Sequence, residues 1–246
     1  MKAGRLFGIG VGPGDPGLVT VKAARCLAEC AHVFAPKSAT GSESAALAIV
    51  QRYVRRDAFV HELVFPMTDE RKKLEEHWAA AAREVVAVLQ SGHDACFITL
   101  GDPLLYSTYV YLVRAVKRLQ PDARIETVPG VPAFAAAAAL TDFPVGVGKR
   151  PVVVVPTADD LTAVREALRS GGTVVLMKIG PRLAAILEIL EEEGVIKRSV
   201  FVARAGHDGQ RVETDLRRLR NDPPAAGYLS IILVDASTKE PASASE

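Results

Sequence analysis

Apolar residues fall along this chain in two alternating rhythms. Short apolar runs predict strands over 5–10, 32–35, 58–65, 94–100 and 123–128. Between them, apolar residues recurring every three or four positions predict helices over 18–30, 43–54, 69–91, 105–120 and 132–140. The third helix shows the pattern best. Leu74, Trp78, Ala81, Ala82, Val85, Val86 and Leu89 share one face, Asp69 stands where a cap belongs, and Ser91-Gly92 marks the end. This alternation implies a mainly parallel sheet with helices on both faces.

The texture changes at Asp142. The stretch Asp142-Phe-Pro-Val-Gly-Val-Gly-Lys-Arg-Pro151 is rich in breakers and reads as a linker. A second series follows: strand 152–156, helix 159–169, strand 173–178, helix 181–193, strand 199–204, a hairpin or short helix at 210–220, and strand 228–234. The polar tail from Ala236 is expected to fray. The architecture expected is therefore two α/β domains, 1–144 and 145–246, with a ligand cleft between them.

Composition narrows the function. At 246 residues and 49% hydrophobic, the chain is long and apolar enough for real cores. A formal charge of +1 lacks the basic excess of a nucleic-acid-binding protein. The longest apolar run, Ala133 to Leu140, is far short of the roughly 20 residues that span a membrane. No apolar stretch follows Met-Lys-Ala-Gly-Arg, so no secretory leader is expected and a cytoplasmic location is. Three cysteines make no disulfide framework. Cys26 and Cys30 lie one helical turn apart without a second ligand pair, which reads as buried thiols and no metal site.

The candidate chemistry lies in three loops. Gly8-Ile-Gly-Val-Gly-Pro-Gly-Asp-Pro-Gly17 links a strand to a helix, the place where bare backbone N–H groups meet a ligand. A dinucleotide fingerprint would need a third glycine where Pro13 or Asp15 stands, and a triphosphate loop would need Lys-Ser/Thr after Gly12 or Gly17. The loop is built for something else. A second cluster, Thr99-Leu-Gly-Asp-Pro-Leu-Leu-Tyr-Ser-Thr108, follows a buried-looking strand, at the edge where α/β sheets collect ligands. Ser107 and Thr108 suit either a helix cap or a ligand contact. Asp102 suits either a tight turn or a ligand hydroxyl or amine. The third, Val128-Pro-Gly-Val-Pro-Ala133, leads into a helix of small residues. Parallel strands would bring all three loops to one edge. There is no nucleophile elbow, no zinc-protease helix and no useful His–Cys pairing, so the reaction asks for little acid–base help.

Together these clusters resemble the tetrapyrrole methylase family. The first match is Gly10-Val-Gly-Pro-Gly-Asp15 followed by Leu18-Val-Thr-Val-Lys-Ala23; the second is Gly101-Asp102, Tyr106-Ser107 and then Pro129-Gly130. The run Gly101 to Tyr109, with Phe65-Pro66-Met67 ahead of the Trp78 helix, is most similar to the branch acting on precorrin-2. The resemblance spans nearly the whole chain. It implies S-adenosyl-L-methionine as methyl donor, precorrin-2 or a related tetrapyrrole as acceptor at ring carbon 20, and a homodimer.

Residue by residue, the resemblance implies that Gly101, Asp102, Leu104, Ser107 and Thr108 hold the methionine part and ribose, with Pro132 and Ala133 facing the cofactor. Met177 and Ala205 would enclose the adenine, with Ile231 beside them. Gly12, Pro13, Gly14 and Asp15 would border the tetrapyrrole, and Lys178, Arg204 and Arg150 would either meet its carboxylates or be ordinary surface charges. Asp15 would contact pyrrole N–H groups or assist proton loss, although a turn-capping aspartate explains it equally well. The product would be precorrin-3A, or its counterpart if the substrate is cobalt-factor II. Two rival classes remain at this point. A nicotinamide dehydrogenase would need an acid at the end of the second strand, where Lys37 stands. A non-catalytic metabolite-binding module would bind without turnover.

Overall fold

Five consecutive residues of β4 (Ala95–Thr99) are buried, as befits a strand covered on both faces of a parallel sheet. The computed structural model describes residues 3–39, 41, 43–66, 68, 70–157, 160–221 and 229–237. The chain divides into two compact units, Met1–Pro132 and Ala133–Glu246.

In the first unit, β1 (Arg5–Gly10), β2 (His32–Lys37), β3 (Phe59–Val64), β4 and β5 (Arg124–Val128) run parallel in the order β3-β2-β4-β1-β5. Helices α1 (Val21–Glu29) and α2 (Ala45–Val50) cover one face, where Leu27 and Ile49 pack with Ile9, Val33 and Ile98. Helices α3 (Arg71–Gln90) and α4 (Tyr109–Leu119) cover the other, where Val85, Leu89 and Leu112 pack with Leu6, Phe34 and Phe97. Neighbouring strand residues point to opposite faces, so Phe97 and Ile98 join opposite cores.

Local chemistry sets the helix ends. Thr20 Oγ1 accepts the Ala23 N–H at 3.2 Å to start α1, three residues later than the apolar pattern suggests, because Pro16–Leu18 form a separate 3-10 turn. Gly92, at φ 90°, ends α3. The Asp69 cap, like Met67, lies outside the described residues, and Glu70 at the cap position makes no side-chain bond. Cys26, Cys30 and Cys96 are free, buried thiols. A hydrogen bond with Cys30, reinforced by burial, pushes the Cys96 thiol far above the usual range. Among the described residues no group of side chains suits a metal ion, and no helix is long and apolar enough to cross a membrane.

The second unit contains α5 (Ala133–Leu140), β6 (Val152–Pro156), α6 (Thr162–Leu168), β7 (Thr173–Met177), α7 (Leu183–Glu192), β8 (Ser199–Ala203), β9 (Arg211–Glu213) and β10 (Ser230–Asp235). Its sheet is mixed, in the order β6-β7-β10-β8-β9. β6 and β7 are parallel, whereas β10 runs antiparallel between β7 and β8. The 210–220 segment is both things expected of it, a short strand and then a 3-10 turn, Leu216–Arg220. The division of the chain falls ahead of α5, which packs on β10; the breaker-rich stretch after Asp142 lies between α5 and β6.

Candidate active site

The strand order dictates where a site can form in the first unit. β4, β1 and β5 are neighbours, so the loops leaving their carboxyl ends emerge side by side. The chain leaves β1 toward α1 on one face and leaves β4 toward α4 on the other. Adjacent strands whose connections part in this way open the crevice in which α/β sheets take ligands.

At that crevice the three glycine loops interlock through their backbones. Val11 N–H donates to the Thr99 carbonyl at 2.9 Å, and Gly12 and Gly101 exchange bonds of 3.3 and 2.8 Å. A Cβ on Gly130 would stand 2.2 Å from the Gly101 carbonyl oxygen and 2.7 Å from the Gly10 carbonyl carbon. One on Gly10 would stand 2.6 Å from both the Gly101 oxygen and the Gly130 nitrogen. Three chain segments therefore meet where no side chain fits. Two residues back along β1, the Tyr109 ring lies over Gly8, whose Cβ would stand 2.1 Å from Tyr109 Cζ. Burial raises the Tyr109 phenol, which stays protonated and pairs with Thr127 Oγ1 at 2.9 Å.

Side chains tie the knot. Asp102 Oδ1 accepts the Leu104 N–H at 2.9 Å, and Oδ2 accepts the Gly130 N–H at 3.1 Å, joining the second loop to the third. Ser107 Oγ bonds Thr99 Oγ1 at 2.9 Å and accepts the Tyr109 N–H at 3.1 Å, whereas Thr108, in the cap position, makes no such bond. This loop runs to Thr108, so α4 starts at Tyr109 and not at 105. Gly12, Pro13 and Gly14 are buried, and Asp15 is exposed. Asp15 Oδ1 accepts the Gly17 N–H at 2.7 Å and caps the 3-10 turn, which the Tyr53 hydroxyl fastens through the Pro16 carbonyl at 3.0 Å. Leu104 and Tyr106 are left exposed at 65% and 43%. Tyr106 holds φ 52°, a left-handed conformation that nothing in its residue type announces. Pro132 is half-buried at the end of the unit.

A second group gathers on the second sheet. Met177 ends β7 and is paired with Ile231 of β10, which is paired in turn with Val202 of β8. Lys178 and Arg204 follow β7 and β8 with φ of 58° and 54°, and Ala205 behind Arg204 is buried. Thr157, missed in the sequence, fastens the turn: its Oγ1 donates to the Met177 and Lys178 carbonyls at 3.1 and 2.8 Å. Its one sequence signal is a hydroxyl directly after a strand. Ala133 begins α5 in this unit. Arg150 is not brought to this edge; it lies beside Asp235, at the end of β10 where β7 begins.

Known proteins resemble this chain in both sequence and fold. The family model for Tetrapyrrole (Corrin/Porphyrin) Methylases matches residues 5–220, and the chain belongs to that family. It is 32% identical over 232 residues to the cobalt-precorrin-2 C(20)-methyltransferase of Salmonella typhimurium, covering 94% of this chain and 96% of the relative. It is 29% identical over 240 residues to the precorrin-2 C(20)-methyltransferase of a Sinorhizobium species, covering 94% and 95%. The fold is that of uroporphyrin-III C-methyltransferase from Thermus thermophilus, solved with S-adenosylhomocysteine, with a TM-score of 0.63 at 21% identity over 94% of this chain and 97% of that one.

Proposed function

We propose that this chain is an S-adenosyl-L-methionine-dependent C-methyltransferase. It acts at ring carbon 20 of precorrin-2 to give precorrin-3A, in corrin and hence cobalamin biosynthesis. The observation that carries the reading is the Gly10–Gly101–Gly130 interlock, which sets the family's two glycine motifs against each other at the crevice between β1 and β4. A dehydrogenase fits less well: β2 ends at Lys37, held by Glu62 Oε2 at 2.5 Å, where a ribose-gripping carboxylate would be required.

The first-unit residues fit the methyl donor. Leu104 and Tyr106 present uncovered apolar surface next to the polar groups of Asp102 and Ser107, a mixture suited to a ligand with an apolar body and a few polar handles. Gly101, Asp102, Leu104, Ser107, Thr108 and Pro132 would hold it, and the resemblance assigns Ala133, Met177, Ala205 and Ile231 to the same cofactor. When bound, S-adenosyl-L-methionine supplies an electrophilic methyl group on a sulfonium whose departing half is neutral and needs no proton. The protein's work is then positioning and exclusion of water; bringing reactants into near-attack geometry is worth roughly 7–11 kcal/mol. Gly12, Pro13 and Gly14 would border the macrocycle, with Lys178 and Arg204 toward its acidic side chains. Asp15 would sit by the pyrrole N–H groups or take part in proton loss. Asp15→Asn keeps the turn cap and removes only the charge, so a fall in kcat at unchanged cofactor affinity is expected.

Incubation with S-adenosyl-L-methionine and precorrin-2 should give a product one methyl group heavier, with carbon-13 NMR placing the methyl at carbon 20. Cofactor binding without product would make the chain a metabolite-binding module. The same reaction on cobalt-factor II, in the anaerobic route, is the second reading; the Salmonella relative, named for cobalt-precorrin-2, favours a cobalt-containing macrocycle in general, and turnover of each substrate separates the two. We also propose a homodimer in the cytoplasm, the former measured by light scattering on the purified chain.

A further inference from the structure

Away from the glycine loops, α3 and α4 enclose a cavity of about 380 Å³ lined by Arg71, Glu75, Trp78, Tyr111, Arg114 and Arg118. Several features of it go beyond what packing two helices requires. Trp78 and Tyr111 stack face to face, with centroids 4.3 Å apart and planes 6° from parallel, yet Tyr111 stays 43% exposed. The Arg114 guanidinium stands 6.0 Å from the Tyr111 ring centre. Glu75 is engaged by Arg71 at 3.0 Å, while neither Arg114 nor Arg118 has a carboxylate partner among the described residues. Helix α4 itself contains no acidic residue. The indole Nε1–H of Trp78 is buried and lacks an acceptor among the described residues. Buried donors nearly always have partners, so one without any points to an acceptor still to arrive.

We propose that this cavity is a second ligand site, which takes a small molecule with a flat conjugated body and at least two acidic groups. The flat part would lie on the pre-stacked Tyr111–Trp78 pair, where an aromatic slab already held rigid costs little ordering on binding. The acidic groups would meet Arg114 and Arg118, whose planar guanidinium groups bind carboxylate and phosphate in two-point contacts. None of the lining residues belongs to the glycine loops, and the inference does not rest on the methylation reading. Two sources share this chemistry, a tetrapyrrole polycarboxylate and a purine nucleotide.

Trp78 is the chain's single tryptophan, so intrinsic fluorescence reads this cavity directly. The full chain would be titrated with uroporphyrin and, separately, with ATP. A saturable change in Trp78 emission with either probe is expected, and the responding probe identifies the source. In the surface double variant R114A/R118A the midpoint should rise about tenfold or more, as for loss of charge-assisted bonds, while R114K/R118K should recover part of it. Turnover by the double variant should remain that of the wild type. No response to either probe would overturn the proposal. So would quenching that is unchanged in R114A/R118A, because it would come from probe held elsewhere.

Discussion

The two loop edges that carry the motifs are built on opposite principles. In the first sheet, side chains have been removed: Gly10, Gly101 and Gly130 let three backbones touch where a single Cβ would intrude. In the second sheet, side chains are retained where removing them would be easier. Lys178 and Arg204 take left-handed backbone angles that glycine adopts freely. A parallel sheet delivers neighbouring loops to one edge, so its task is close approach. The mixed sheet threads β10 antiparallel between β7 and β8, and its turns instead present long cationic side chains. On the reading proposed above, the retained charges of Lys178 and Arg204 would meet the acidic substrate.

The severest test adds one carbon to the interlock. Gly130→Ala places its Cβ against two backbone segments that have no rotamer with which to yield. Overpacking of this kind costs about 3 kcal/mol, a fall in Tm of roughly 6–12 °C for a chain of this size. Cofactor binding by calorimetry should weaken with it. Gly146→Ala is the control, because nothing lies within 4 Å of its added Cβ. Equal behaviour of the two variants would show the interlock to be incidental. Next in size is Asp102→Ala, which strips the Gly130 N–H of its acceptor and releases the Leu104 turn. Leaving a part-buried donor unpaired costs about 1–3 kcal/mol. Cofactor affinity should fall about tenfold in a protein that still folds; unchanged affinity would remove Asp102 from the site.

The converse experiment removes a Cβ from the second edge. Arg204→Gly relieves the roughly 1–2 kcal/mol cost of a left-handed L-residue, part of which the freer unfolded chain takes back. Melting temperature should rise by a few degrees while KM for the tetrapyrrole increases. A rise in stability with KM unmoved would make Arg204 an ordinary surface cation. The contrast drawn between the two edges would then fail on its functional side.

Much of this contrast was legible in the sequence, but unevenly. The glycine motifs and the alternating elements stood out because close approach and burial both leave strong local signatures. Strand order in the second sheet did not, because nothing in the residues of β10 says that it inserts between β7 and β8. The allegiance of α5 was hidden for a related reason: Ala133-Phe-Ala-Ala-Ala-Ala-Ala-Leu140 is apolar all round and shows no preferred face. The late start of α4 and the left-handed Tyr106, Lys178 and Arg204 were invisible because these residue types do not announce positive φ. Asp102 was read as either a tight-turn residue or a ligand contact, and its two oxygens accept the backbone N–H groups of Leu104, within the turn, and of Gly130.

The smallest expected effect lies at the opposite end of the first sheet and sharpens the contrast from that side. His32 at the start of β2 shares a hydrogen bond with His61 of β3, Nδ1 to Nε2 at 2.9 Å, and its ring centre lies 5.2 Å from that of His61 and 5.4 Å from that of His93. Phe59 stacks on His32, Phe34 stacks on His61, and Ser91 Oγ occupies His93 Nδ1 at 3.0 Å. Burial first, then the neighbouring His61 and His93, hold the His32 pKa below its ordinary 6.5, and no carboxylate among the described residues offsets them. As pH falls through that value the unfolded chain takes up a proton that the folded chain refuses, so stability drops. The carboxylates Asp57 and Asp215, paired with Arg55 and Arg217, and Asp160, hydrogen-bonded by Thr162, have lowered pKa values and keep their contribution until pH falls below the ordinary aspartate value of 3.8, a separate window. Thermal melts between about pH 7 and pH 5.5 should therefore show a modest decline in Tm that His32→Gln flattens. Cofactor affinity of the folded protein should not follow that substitution, because the glycine interlock sits at the other end of the strands. A His32→Gln protein with an unaltered pH slope would show the histidine cluster to be inert.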